Sequence, residues 1–152
     1  MTEHESRLSH VGESGDVQMV DVGAKSLSKR RAVARAAVHM ALETTTMLRA
    51  LPKGDALVTA QLAGIMAAKR TSELIPLCHP LPLTHVDVRL SVADGAVEIE
   101  ASVETTAQTG VEMEALVAAV VAALTVYDMA KAVDKTMVIS EVELVEKTKE
   151  GV

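Results

Sequence analysis

The chain has no tryptophan, no phenylalanine and a single tyrosine among its 152 residues, so it cannot stack bases on a set of aromatic rings as single-strand readers do. Positive charge is not in excess either. The formal net charge is −6, and a general polyanion binder needs a broad basic surface from which counterions are released. A local cluster of cations for a small anionic ligand stays open. The one cysteine, Cys78, rules out an internal disulfide and any Cys-rich zinc site, and a reducing cytosol is its natural setting. Met1 to Asp16 has no apolar run of signal-peptide length, and nowhere do apolar residues continue unbroken for the roughly 18 positions of a membrane span. The expectation is a soluble, cytoplasmic protein that binds neither nucleic acid nor membrane.

What is present is apolar and small. Hydrophobic residues make up 49% of the chain, enough for one domain with a core of Ala, Val, Leu, Ile and Met. Residues 1–16 are rich in Glu, Ser, His and Gly without periodicity and read as a disordered tail; residues 17–152 read as a single domain. Gln18 to Val22 is a short strand candidate, followed by a polar connection over Gly23 to Ser28. Lys29 to Met40 alternates, with Ala32, Ala34, Ala36, Val38 and Met40 on one parity and Arg31, Arg35 and His39 on the other, which favours a strand over a helix. Helical spacing at Leu42, Met47, Leu48 and Leu51 predicts a helix over 41–51, ended by Pro52-Lys53-Gly54. Asp55 can cap a second helix through about Ser72, with Leu57, Leu62, Ile65 and Met66 as its apolar positions.

Three of the four prolines stiffen Pro76 to Pro82 into an extended loop. Val86, Val88, Leu90 and Val92 then alternate with polar residues, Asp94-Gly95 signals a two-residue turn, and Val97, Ile99, Ala101 and Val103 alternate again. That turn pairs Ala93 with Ala96, Leu90 with Ile99 and Arg89 with Glu100. Thr109 to about Val133 is the longest helix candidate, with Thr109 and Glu112 as a capping box, and Met137 to Lys147 is a last strand. Strands, two helices, a hairpin, a helix and a strand suit an α+β antiparallel sheet with helices packed on one face.

Along the long helix Val117, Val121 and Leu124 lead by steps of four and three to Asp128 and Lys131. Two readings stand: an ordinary surface ion pair, or an acid and a base held out of bulk water. Glu112 is explained by capping, whereas Glu114 has no such specific reason. Cys78 and His79 are neighbours in an extended segment and point to opposite sides, so they do not form a nucleophile and base with each other. Arg30, Lys53, Lys69, Arg70, Lys131 and Lys147 are scattered, and no P-loop or Gly-x-Gly-x-x-Gly stretch is present, so any phosphate would have to be held by side chains.

Several blocks together resemble the cyclic pyranopterin monophosphate synthase family, MoaC. They are Met19 to Val22, Lys53-Gly54-Asp55, Ala63-Gly64-Ile65 with Ala67 to Thr71, Leu74 to Leu81, Thr109 to Leu116, and Ala122 to Met129 with Lys131-Ala132-Val133. Two departures stand out: Gln108 where the family often has lysine, and Ser28 where threonine is expected. The resemblance implies a ferredoxin-like α+β subunit forming a hexamer, a trimer of dimers, with active sites between subunits. It also implies a lyase of molybdenum cofactor biosynthesis. The substrate would be the 3′,8-cyclised dihydro-GTP made by an upstream radical enzyme, and the products cyclic pyranopterin monophosphate and pyrophosphate. By the same resemblance Asp128 and Lys131 are the catalytic acid/base pair. Leu77, Cys78, His79, Glu112, Met113 and Glu114 then border the substrate, and Arg30, Lys53, Lys69 and Lys147 form the cationic side, some of them from a neighbouring subunit. No metal site and no cofactor is required, with room for Mg²⁺ accompanying the triphosphate. A nucleotide-binding regulatory module and a purely structural oligomer are the rival readings.

Overall fold

A computed structural model describes residues 9–152. The elements run β1 (Ser28–His39), α1 (Leu42–Thr45), α2 (Ala56–Ala68), α3 (Thr71–Leu74), β2 (Leu83–Ala93), β3 (Ala96–Ala107), α4 (Glu112–Ala130) and β4 (Val138–Gly151). The sheet order is β2-β3-β1-β4 with every pair antiparallel, which is the ferredoxin-like arrangement. α2 and α4 pack on one face of it.

Alternation explains the strands. Ala32, Ala34, Ala36 and Val38 of β1 turn inward beside Val103, Ala101, Ile99 and Val97 of β3. Burying a valine or isoleucine of this kind contributes about 1.5–3 kcal/mol. The β2–β3 hairpin has the register its turn predicts, with Ala93 opposite Ala96, Leu90 opposite Ile99 and Arg89 opposite Glu100. Gly95 takes φ +74° in that turn, a conformation open to glycine without strain. Although Arg89 and Glu100 are in register, Arg89 donates to Asp87 at 2.8 Å instead. On the sheet face away from the helices, Arg35 pairs with Glu143, and Arg31 meets Glu146 at 2.6 Å.

Four expectations are corrected. Gln18 to Val22 forms no strand; Val17 only bridges Val11 across a turn closed by Gln18 N–H to the His10 carbonyl, 2.9 Å. The expected helix over 41–51 shrinks to the single turn of α1, after which the chain makes turns and Leu51 bridges Gly54. Its buried anchors are Leu48 and Leu51 rather than Leu42 or Met47. α2 is capped as expected, with Asp55 accepting from the N–H groups of Leu57 and Val58, but Leu62 and Met66 are exposed. Its inner face is Ala56, Leu57, Ala60, Gly64, Ala67 and Ala68. A Cβ on Gly64 would stand 3.0 Å from the Ala118 carbonyl and 3.3 Å from Ala122. The seam between α2 and α4 is therefore built of residues with almost no side chain, which lets the backbones close up and leaves the bulkier residues of α2 outside. The fourth correction is the capping box: Val111 is the N-cap of α4 and no side chain caps it. Residues 1–8 of the expected disordered tail lie outside the described residues.

Among the described residues one helix, α4, is long and apolar enough to cross a membrane, and half of its most apolar window is buried. Here it lies against the sheet and α2, with Ala115, Ala118, Ala119, Ala122, Ala123 and Val126 in the core.

Candidate active site

α4 carries a group of candidate site side chains at each end. At its N-terminal end the Pro-rich loop and the 109–114 segment enclose a cleft of about 380 Å³ whose lining includes Leu77, Cys78, His79, Glu112, Met113 and Glu114. The six residues that the family resemblance puts beside a substrate thus line one cleft. Residues of the N-terminal segment, among them Val20, Val22 and Lys25, form the facing wall. His79 ties that wall down: its Nε2 lies 2.6 Å from the Val20 carbonyl oxygen. A carbonyl only accepts, so Nε2 bears the proton, and in the neutral ring Nδ1 is left as an acceptor.

Glu114 is the buried acid of the cleft, 4% exposed. Burial raises its carboxyl above the ordinary value, and the nearby Glu112 charge adds to the rise, against the opposing pull of its own backbone N–H. A carboxyl shifted this way can hold and release a proton closer to neutrality. Cys78 is pushed up as well, by burial and then by the Glu114 charge, which keeps it a thiol and unsuited to nucleophilic attack.

Glu112 behaves differently although it is two residues away. Burial would raise it, but the Lys147 ammonium at 2.5 Å, its own backbone N–H and the charge of Arg30 together hold it low. Gly110 makes space for it, because any side chain there would strike the Glu112 carboxylate. Arg30 Nε in turn donates to Ser28 Oγ at 2.6 Å. Serine thus supplies a hydroxyl at the position where threonine was expected. Arg30 and Lys147 therefore stand at the same end of the helix as the cleft.

At the C-terminal end Asp128 lies between two ammonium groups. Lys131 Nζ is 2.9 Å from Oδ1 and Lys53 Nζ is 3.0 Å from Oδ2. The hydrogen bonds from Lys131 and then Lys53 hold the Asp128 carboxyl below its usual range, and Asp128 raises the Lys131 ammonium. The expectation that this pair is withdrawn from water is corrected, since both side chains are 53% exposed. In one chain the seam ends at the surface. Lys69, at the C-cap of α2, is exposed and lines neither group.

One residue that sequence reasoning missed is Asp134, 5% exposed just beyond α4. Its signal was local: an acid two residues before Thr136 at the entry to a strand is a common turn device. Among the described residues no group of three or more His, Cys, Asp or Glu side chains converges as a metal site.

The chain matches the MoaC family model over residues 19–150. It belongs to the MoaC family. Relatives named cyclic pyranopterin monophosphate synthase include those of Roseiflexus castenholzii, 60% identical over 147 residues, and Nitratidesulfovibrio vulgaris, 56% identical over 145 residues. Another, from Streptomyces coelicolor, is 56% identical over 146 residues. These alignments cover 94%, 93% and 95% of this chain and 93%, 90% and 86% of the three relatives. The two clusters at the ends of α4 are therefore features of a MoaC subunit.

Proposed function

We propose that the chain is a cyclic pyranopterin monophosphate synthase, the lyase that converts (8S)-3′,8-cyclo-7,8-dihydroguanosine 5′-triphosphate to cyclic pyranopterin monophosphate and pyrophosphate in molybdenum cofactor biosynthesis. The observation that carries the catalytic part of this reading is the Lys131–Asp128–Lys53 contact, an exposed carboxylate with a separate ammonium on each oxygen. Opening the cyclised base and closing the new ring require successive proton transfers at nitrogen and oxygen. Lys131 and Asp128 supply a donor and an acceptor already in hydrogen-bond contact. Glu114, raised by burial, adds a carboxyl able to exchange a proton in the cleft. Formation of the cyclic phosphate expels pyrophosphate, whose growing charge is met by Arg30, Lys53 and Lys147, and by Lys69, outside both clusters of a single chain, only where subunits meet. No redox step enters, and Mg²⁺ would arrive with the triphosphate as part of the substrate.

The two clusters belong to one pocket only if two chains meet. From Glu114 to Asp128 is 14 residues of helix, about 21 Å along the axis, and acid/base groups must come within about 3 Å of the atoms they serve. In our reading, which that separation and the family resemblance support, a neighbouring subunit brings its Asp128 and Lys131 to this chain's cleft, in a homo-oligomer we take to be a hexamer, a trimer of dimers. The same contact would cover the exposed pair. The enzyme acts in the cytoplasm downstream of the radical enzyme that makes its substrate, with neither nucleic acid nor membrane as a partner. Incubation with the cyclised substrate tests the reading: product and pyrophosphate should form in equal amounts. Binding without turnover would favour a regulatory module, and no affinity at all would favour a structural oligomer.

A further inference from the structure

Asp134 is a buried carboxylate used by none of the chemistry above. Its Oδ1 accepts from the Thr136 hydroxyl and the Thr136 N–H, both at 2.7 Å, and its Oδ2 accepts from the Thr44 hydroxyl at 2.8 Å and the Ala41 N–H at 2.9 Å. Four donors thus converge on one side chain, and no ammonium, guanidinium or imidazole among the described residues pairs with it. Burial of an unpaired charge is costly unless hydrogen bonds replace water in full. Here the hydroxyl and N–H of Thr136, with the Ala41 N–H and Thr44, outweigh burial and keep the carboxyl ionised.

What the four bonds connect is the point of interest. Oδ1 holds the segment that leaves α4 for β4, three residues after Lys131; the Asp134 N–H also closes onto the Ala130 carbonyl at 3.0 Å. Oδ2 holds the start and middle of α1, the helical turn between β1 and the Leu51–Gly54 bridge that presents Lys53. Thr44 is 2% exposed, and four residues on Leu48, equally buried, takes the Ala56 N–H on its carbonyl at 2.8 Å. The chain from Thr44 to Lys53 is thereby fixed at both ends.

We propose that Asp134 is a positioning residue that sets Lys53 against the Asp128–Lys131 pair by locking α1 to the end of α4. It touches no substrate and acts only through the placement of Lys53. This rests on the catalytic reading of Asp128 given above.

The test uses the full-length oligomeric protein and removes one of the two bonds on the Lys53 side, the other being the Ala41 N–H. Thr44→Val deletes the hydroxyl at nearly constant volume, and Thr44→Ser restores it. Val88→Ala, a cavity change at a fully buried position of β2, supplies a comparable loss of stability away from the site. Two quantities are read: kcat per folded molecule on the cyclised substrate, and the titration of the Asp128 carboxyl by carbon NMR without substrate. Lys131, Lys53 and neighbouring Tyr127 are the ionisable groups around it. Thr44→Val should lower kcat by about 10- to 100-fold, with KM less affected, and should move the Asp128 titration toward higher pH as the Lys53 contact loosens. Thr44→Ser should recover both, and Val88→Ala should change neither. A Thr44→Val protein that loses melting temperature yet keeps kcat and the Asp128 titration would overturn the proposal. If wild type itself fails to turn over but the titration still moves, the function is wrong and the positioning stands.

Discussion

Because α4 puts Glu114 and Asp128 about 21 Å apart, a mixture of two inactive chains should recover activity by an amount that can be worked out beforehand. Let one chain carry Glu114→Gln and the other Asp128→Ala, each lowering turnover alone by about 10²–10⁴-fold, as loss of one acid or base does. In a randomly assembled equal mixture, a pocket works when its Asp128 end comes from the Glu114→Gln chain and its Glu114 end from the Asp128→Ala chain. Each condition holds half the time, so about one quarter of wild-type activity should return. Native mass spectrometry would establish that subunits have exchanged, and pyrophosphate release would measure the recovered rate. Activity that stays at the level of the single variants despite full exchange would mean each chain is complete by itself. The reasoning from helix length would then be wrong.

Lys131→Ala should abolish turnover with little change in melting temperature, because Asp128 keeps Lys53 at 3.0 Å as its partner and no carboxylate is left unpaired; near-normal turnover in a destabilised protein would mark a structural pair. Gly64→Ala adds a methyl 3.0 Å from the Ala118 carbonyl, costing about 1–3 kcal/mol by overpacking against about 1 kcal/mol regained in helix propensity, so a denaturant midpoint lowered by a net loss of about 1 kcal/mol is expected. Glu114 is raised in the folded state, so its contribution is full below the unfolded value near 4.3 and is lost as pH rises through the folded one; the melting temperature of Glu114→Gln should gain on wild type with increasing pH. Asp134 is depressed, so its stabilisation holds above about pH 4 and fades as the pH falls below that. Asp134→Asn should therefore be the less stable protein at neutral pH, with the gap narrowing in acid by thermal denaturation.

The hairpin was legible to the residue over 86–103, because a two-residue turn with glycine at positive φ fixes the pairs beyond it, which hold from Ala93–Ala96 to His85–Glu104 before the register shifts at Leu83. β1 was legible from parity, since Arg31, Arg35 and His39 could not share the core face with Ala32 to Met40. α2 misled for a physical reason. Its side chains are apolar nearly all round, and large residues were assigned inward on the assumption that size marks the core. α4 offers Ala118 and Ala122 to it at Gly64, and only small residues allow that approach, so Leu62 and Met66 went outside. The capping box failed because Glu112 is engaged by Lys147 from β4, a contact over 35 positions that no local pattern contains. The helix expected over 109–133 already put Glu112 and Glu114 at one end and Asp128 and Lys131 at the other; that Lys147 and Arg30 join the first group and Lys53 the second required the fold.

The seam of small residues between α2 and α4 also has an entropic side. Alanine and glycine have no side-chain rotamers to lose, so ordering that seam costs backbone freedom alone. The same lack of torsions leaves the interface no means of relaxing by rotamer exchange. α4 is consequently held as a rigid strut, and a displacement imposed at its Glu114 end is carried through to Asp128 by the helix moving as a body.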